Sequence, residues 1–488
     1  MEFIIDLQKC AEPIEVHIGA SNIVVAITNR KTSAAYAYGS LDVVPESVAL
    51  SFSAVDLRRN NRAKTTSKTQ LSRQSAIVLS SLPKTIRDAV TLTRALGIRY
   101  LWVDAICIIQ PENYPALPGE LDDWYNEAPK MGDYYHNAFC TIGATAAIDS
   151  EVGMFVERAS LKYPVEKCLV GKFQDDTAAY VCPSMPSAHG QVDYAPLYAR
   201  GWTHQERFLS RHILHFSRDA LFWECHGRIK HAEHHEPLLT SNESNWSWAL
   251  KLSTDTQALF AQQWLNLVED YSAMNLTHET DRLIAIQGLV DLMCKNIPES
   301  ETYIAGVFRS NLVDGLAWSN TSMEAKKIDH FPSWSWASLS FGGVYYNSLL
   351  KRLVKIIAVD QFAVVGARNS HTCGRLTIEA SVWRVRLKET PVLEEPESNF
   401  FNHPGLLHEY PVHYGWYFDG PGSVPPSACD LTLAAIGFCT AAQDRNLFLA
   451  LILLPTGSDY RRIGVALIGG LRKRELLNGL DQETLSIV

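Results

Sequence analysis

Long apolar runs are missing from this 488-residue chain: the longest, residues 447–454, is eight residues and stops at Pro455. A bilayer crossing takes roughly 20, so no membrane span is expected. Also missing is an N-terminus that begins basic and turns apolar. Residues 1–10 carry Glu2 and Asp6 and an apolar run of only three, so no secretory leader is expected and the chain reads as cytoplasmic. Positive charge is not in excess either. Lys and Arg number 44 against 53 Asp and Glu, a net charge of −9, which argues against a whole-chain nucleic-acid binder. The ten cysteines include no CxxC pair, and most are expected to pack as small apolar side chains. HExxH, GxGxxG and GxxxxGKS/T are absent as well, so neither a helix-borne zinc site nor a Rossmann or P-loop nucleotide fold is supported.

Apolar side chains are plentiful, at 47% of residues, enough for several cores at about 100 to 200 residues per domain. Residues 21–28 and 47–52 read as strands. Residues 55–73, with Arg58, Arg59, Arg62, Lys64, Lys68 and Arg73, read as a solvated loop rather than a phosphate-facing patch. The next stretch is the most legible. Ile86, Ala89, Val90, Thr93 and Leu96 recur at steps of three and four behind Pro83 and ahead of Gly97, which predicts a helix over 83–96. Residues 98–103 read as a buried strand, a second helix should carry Met131, Tyr134, Tyr135 and Ala138 inward, and residues 140–144 read as another strand. Asp104 and Cys107 follow the strand at 98–103, and in open α/β sheets groups just past a strand's carboxyl end commonly face the ligand crevice.

Several ordered blocks carry a resemblance. Leu82 to Ala89 and Arg99 to Gln110 (Arg-Tyr-Leu-Trp-Val-Asp-Ala-Ile-Cys-Ile-Ile-Gln) match one signature, followed by Asp123-Trp124 with Glu127, Met131 and Tyr135. Asp149-Ser150 with Gly153 comes next, then Arg200-Gly201-Trp202-Thr203-His204-Gln205-Glu206-Arg207, leading to Phe222-Trp223-Glu224-Cys225. Together these resemble the fungal heterokaryon incompatibility (HET) domain, and Pro332 to Ser338 and Tyr460 to Val465 resemble the later parts of stand-alone HET proteins. The resemblance implies a factor of non-self recognition and programmed cell death. It also implies a TIR-like, flavodoxin-like α/β open sheet, with an α+β, β-rich part after it. The regions then read as an N-terminal extension at 1–40, a HET domain at 41–225, a mainly helical connection at 226–330 and a β-rich region at 331–488. An incompatibility partner protein and self-association follow by the same resemblance.

This chain departs from the family pattern in three places. Residues 51–55 lack the Trp and Gly that usually end the first strand. Pro129 stands two residues after Glu127, which predicts a helix starting near Pro129 with Glu127 in its lead-in. His204 stands where the family mostly has an apolar residue, and it reads either as a general base or as a partly buried, backbone-bonded ring.

Some TIR-like domains cleave NAD with a glutamate, so the resemblance implies NAD as a substrate. Such cleavage needs a carboxylate at an oxocarbenium-like centre and an aromatic wall, as glycoside hydrolysis does. Glu127, Asp104 and Glu206 are the carboxylates in matched blocks. Trp102, Trp124 and Trp202 are the aromatics, with Gln205 and Arg207 as further binding groups. An alternative is a HET scaffold turned to small-molecule, biosynthetic chemistry, with Cys107 as nucleophile, His204 as base and Asp104 or Glu206 as orienter. A third reading is a catalytically silent interaction module. Ser333-Trp334-Ser335-Trp336 reads as a half-buried packing pattern rather than a stacking ladder. The histidines at 226, 231, 234 and 235 read as loop rather than as a zinc site.

Overall fold

A computed structural model describes residues 5–6, 49–53, 63–112, 116–156, 168–172, 178–181, 186–225, 228–231, 257–294, 301–320, 322, 324–340, 342–360, 374–387, 416–420, 423–425, 429–441, 445–468 and 481–488. The chain forms two compact units, Met1–Lys251 and Leu252–Val488. The strand expected at 21–28 lies outside the described residues.

Seven strands of the first unit build one sheet. They are β1 (Ile5–Asp6), β2 (Ala49–Ser53), β3 (Tyr100–Trp102), β4 (Cys140–Gly143), β7 (His212–Phe216), β8 (Leu221–Cys225) and β9 (Arg228–His231), in the order β1-β3-β2-β4-β7-β8-β9. A separate hairpin joins β5 (Cys168–Lys172) to β6 (Ala178–Val181). The centre is parallel: Leu50 pairs with Leu101 and Cys140, and Ile142 with Leu214. The edge strands β1, β8 and β9 pair antiparallel. All four residues of β4 and four of the five in β7 are buried, as expected of parallel strands covered on both faces.

Helices connect the parallel strands. They are α1 (Gln70–Ser75), α2 (Lys84–Ala95), the single turn α3 (Asp104–Cys107), α4 (Asp122–Glu127), α5 (Met131–Asn137) and α6 (Trp202–Leu209). Helix α2 follows the sequence reading closely. Pro83 caps its start, Gly97 takes a left-handed φ of 70° just past its end, and Ile86, Ala89, Val90 and Thr93 are buried. Burying Ile86 and Val90 stabilises by about 1.5–3 kcal/mol each, so Ile86→Ala should cost about 2–5 kcal/mol. Residues 70–73, the end of the stretch expected as loop, are helical instead. A turn in which the Thr69 hydroxyl accepts the Thr66 amide at 2.9 Å leads into α1, and Arg73 donates back to the Ala63 carbonyl at 2.7 Å.

Pro129 acts differently from the sequence expectation. Glu127 does not lie in a lead-in but ends α4, and a 3-10 turn at Ala128–Lys130 absorbs the proline before α5 begins at Met131. Proline has no amide to donate, so a tight turn between two short helices accommodates it without loss of a helical hydrogen bond.

In the second unit, helices α7 (Gln257–Ser272) and α8 (Gln287–Cys294) precede a largely β region. Two small ribbons come first: β10 (Tyr303–Ile304) with β11 (Val307–Phe308), and β12 (Trp318–Asn320) with β13 (Val344–Tyr346). The main sheet has eight strands: β14 (Leu349–Arg352), β15 (Lys355–Val359), β16 (Leu376–Leu387), β17 (Trp416–Phe418), β18 (Cys429–Ala441), β19 (Arg445–Thr456), β20 (Asp459–Ile468) and β21 (Asp481–Ile487). Strand β18 pairs β19, β19 pairs β20, β20 pairs β21, β21 pairs β16 and β16 returns to β18. Five strands thus form a ring, which closes between β20 and β21 at the pair Tyr460 and Ile487. Every residue from Leu447 to Leu453 in β19 is buried, so the longest apolar run of the sequence is a strand covered on both faces. Trp334 and Trp336 are fully buried and donate their indole N–H groups to the carbonyls of Gly374 and Gly306. The Ser-Trp repeat is packing.

Candidate functional site

Strand β3 ends in Trp102. Extended Val103 then turns the chain into α3, so Asp104 and Cys107 stand at the carboxyl edge of the sheet. Asp104 is half-buried, and its Oδ1 accepts the Ala105 amide at 2.7 Å. Burial pushes its carboxyl pKa up, against the opposing pull of Arg200, the Ala105 amide and Lys64. Cys107 is buried, and its sulfur accepts the Val103 amide at 3.4 Å.

Glu127 reaches the same neighbourhood through two aromatic residues. Its carboxylate accepts the Tyr134 hydroxyl and pairs with Lys130 at 2.8 Å. Burial alone would raise its pKa, but the Lys130 and Tyr134 hydrogen bonds outweigh that and hold it below the usual value. Glu127 is therefore anionic at neutral pH while its side chain remains 23% exposed. Burial and the anionic Glu127 both raise the Tyr134 phenol, so Tyr134 keeps its proton and donates. The Trp102 ring lies 5.3 Å from Tyr134 and 5.5 Å from Tyr135, the latter edge-on. Tyr135 is buried and hydrogen-bonded to Glu206. Desolvation first, then Glu206 and Asp104, hold its phenol well above the ordinary value. Glu127, Asp104, Glu206 and Trp102 are thus linked through adjacent Tyr134 and Tyr135 on α5. Trp202, at the first position of α6, meets Trp124 edge-on at 5.9 Å.

The rest of α6 is buried from Thr203 to Leu209. The His204 ring stacks near Phe208 at 6.5 Å, and burial, reinforced by Arg207, pushes its pKa down to about 3. It is a neutral ring and a weak base. Gln205 is buried beside it. Arg207 bridges Glu224 of β8 at 2.9 Å and Asp193 at 2.9 Å, and its guanidinium lies 4.6 Å from the centre of the Tyr198 ring.

Glu224 also accepts from His215 Nε2 at 2.8 Å, while His215 Nδ1 lies 3.1 Å from the Tyr198 hydroxyl and 3.3 Å from that of Thr145. Burial lowers the His215 pKa and leaves the ring neutral. Because ionised Glu224 can only accept, the proton sits on Nε2, and Nδ1 is left to accept from the hydroxyls. Sequence reasoning missed His215, Tyr198, Thr145 and Asp193. The available signal was a polar side chain behind an apolar pair in each strand, His215 after Ile213-Leu214 and Glu224 after Phe222-Trp223, since a buried polar group needs a partner.

Two of the matched sequence blocks meet in space. Thr85 of α2 accepts the Gly153 amide at 3.0 Å, and Asp88 accepts the Met154 amide at 2.9 Å while pairing with Lys84 at 3.0 Å. Thr85 also donates its own amide to the Ser150 carbonyl at 2.9 Å. The start of α2 therefore clamps the loop that follows β4.

Residues 48–206 match the family described as heterokaryon incompatibility protein (HET). The chain carries a HET domain. No curated protein and no solved structure matches the chain. The HET match opens just ahead of β2 and closes at Glu206, so the Glu127–Trp102–Asp104 neighbourhood lies inside it. Arg207, His215 and Glu224 lie past the end of the HET match, His215 and Glu224 on strands of the same sheet and Arg207 on α6. Among the described residues, no group of three or more His, Cys, Asp or Glu side chains is placed to hold a metal ion. No described helix is long and apolar enough to cross a membrane.

Proposed function

We propose that this chain is a cytoplasmic factor of fungal non-self recognition whose HET domain cleaves the nicotinamide–ribose bond of NAD in a TIR-like manner, with Glu127 as the working carboxylate. The observation that carries this reading is Glu127 itself: anionic, still open to solvent, fixed by Lys130 and Tyr134, and joined through Tyr134 to the Trp102 ring. An anionic, positioned carboxylate is what a ribosyl cation requires. The sheet supports the reading too. Its parallel strands run β3-β2-β4-β7, the second, first, third and fourth of the series, an order found in flavodoxin-like sheets.

The thiol route finds less support. His204 is pushed down to about 3 and is poorly suited to draw a proton from Cys107. The test is incubation of the full chain with NAD, following nicotinamide release. Release by the wild type that Glu127→Gln abolishes supports the reading. Absence of release, or release that Glu127→Gln leaves intact, overturns it.

A further inference from the structure

Resting on the reading above, we propose that the site uses two carboxylates in different roles, with Asp104 as the base that takes the proton from the attacking water. The geometry comes from one pair of neighbours on α5. Tyr134 and Tyr135 both touch Trp102, and each leads to a different acid: Tyr134 donates to Glu127, while Tyr135 is bonded to Glu206 and in electrostatic reach of Asp104. Asp104 stands at the carboxyl end of β3, where ligands of open α/β sheets lie. The charged and titratable groups facing it come from three directions. Arg200 approaches from the segment before α6, Lys64 from the segment before α1, and Tyr135 from α5, with Glu206 behind it.

These surroundings drive the acids apart. Lys130 and Tyr134 hold Glu127 below its ordinary value, while desolvation shifts Asp104 in the opposite direction, above its own. Carboxylates split in this way take different roles in catalysis. Glu206 is buried and bonded to Tyr135, which suits a positioning role.

The step balances as follows. The C1′–N bond breaks and its electron pair leaves with neutral nicotinamide. Glu127 faces the ribosyl cation. A water oxygen bonds to C1′, its proton passes to Asp104 and then to solvent, and the products are ADP-ribose, nicotinamide and one proton.

The test is the pH profile of kcat and KM for NAD, measured on the full chain as wild type, Asp104→Asn, Asp104→Glu and Glu127→Gln. The expectation for Asp104→Asn is a kcat lower by about a hundredfold or more, a KM little changed, and loss of the acidic limb of the profile. Asp104→Glu should keep a limb, displaced in pH, while Glu127→Gln is inactive throughout. A wild-type kcat and limb in Asp104→Asn overturn this assignment and leave Glu127 standing. A wild type that releases no nicotinamide overturns both. If Asp104→Asn loses its near-UV circular dichroism, Asp104→Glu decides: a displaced limb supports the assignment and an unmoved one overturns it.

Discussion

Lowering the pH from neutral to about 5 should destabilise the first unit, and His204 should account for a defined share of that loss. The ring is fully buried in α6 and takes a proton in the fold only near pH 3, because burial penalises its charged form. In the unfolded chain a histidine titrates near 6.5. The folded-state value is therefore depressed, so the stability the neutral ring permits is present above about 6.5 and is lost as the pH falls below it. At about pH 5 the unfolded chain has gained this proton and the fold has not, a difference of roughly 1.5 pH units, or about 2 kcal/mol. His215 is lowered by burial in the same sense and adds to the wild-type slope.

His204→Leu removes one proton from that balance and should lose about 2 kcal/mol less than wild type between pH 7.5 and pH 5, whatever its stability at pH 7.5. The chain has two units, so a single global transition is a poor readout. Urea titrations read by hydrogen exchange in peptides spanning residues 202–216 report the local value. Equal losses in wild type and His204→Leu would refute the account of a buried neutral ring.

Three further outcomes are expected. Glu224→Gln takes a charge from between Arg207 and His215 and should destabilise the first unit by about 3–5 kcal/mol, read by the same exchange method in peptides from β7 and β8. Gly153→Ala places a methyl group 2.0 Å from Lys84 Nζ and 2.6 Å from Asp88 Oδ2 at a φ of 86°. It should cost about 1–3 kcal/mol and raise proteolysis of the loop after β4, checked by limited digestion. In the second unit, burial lowers Lys327 to about 8 despite its 2.9 Å bond to Asp419. Because the fold gives up this proton before the unfolded chain does, wild type should gain about 2 kcal/mol over Lys327→Met as the pH rises from about 8 to about 10, measured by urea titration read by hydrogen exchange in peptides of the second unit that include residue 327.

What the sequence made legible was local. Helix α2 announced itself through apolar spacing between Pro83 and Gly97, and strand β4 through the apolar stretch at 140–144. What stayed hidden was long-range. Nothing in residues 376–387 says that they will pair with both 429–434 and 481–487, because those pairings span stretches of chain that carry no periodic signal. The same limit applied at the site. Matched blocks supplied Asp104, Glu127, Glu206 and Tyr135, but neither Tyr134 nor Tyr135 read as more than an inward-facing helix residue, and their part in joining three acids to Trp102 needed the fold. Arg207 read as a binding group, whereas its partners, Asp193 and Glu224, fasten it from both sides.

The ring of strands in the second unit sets an order of events during synthesis. Its closure uses β21, residues 481–487, paired to β16 about a hundred positions earlier. At about 5–20 residues per second, every part of the first unit has been translated for on the order of ten seconds or more before the last stave exists. The HET domain can therefore be complete and exposed on the ribosome while β16, β18 and β19 still wait with open backbone edges, the condition under which nascent chains most readily pair with the wrong neighbour.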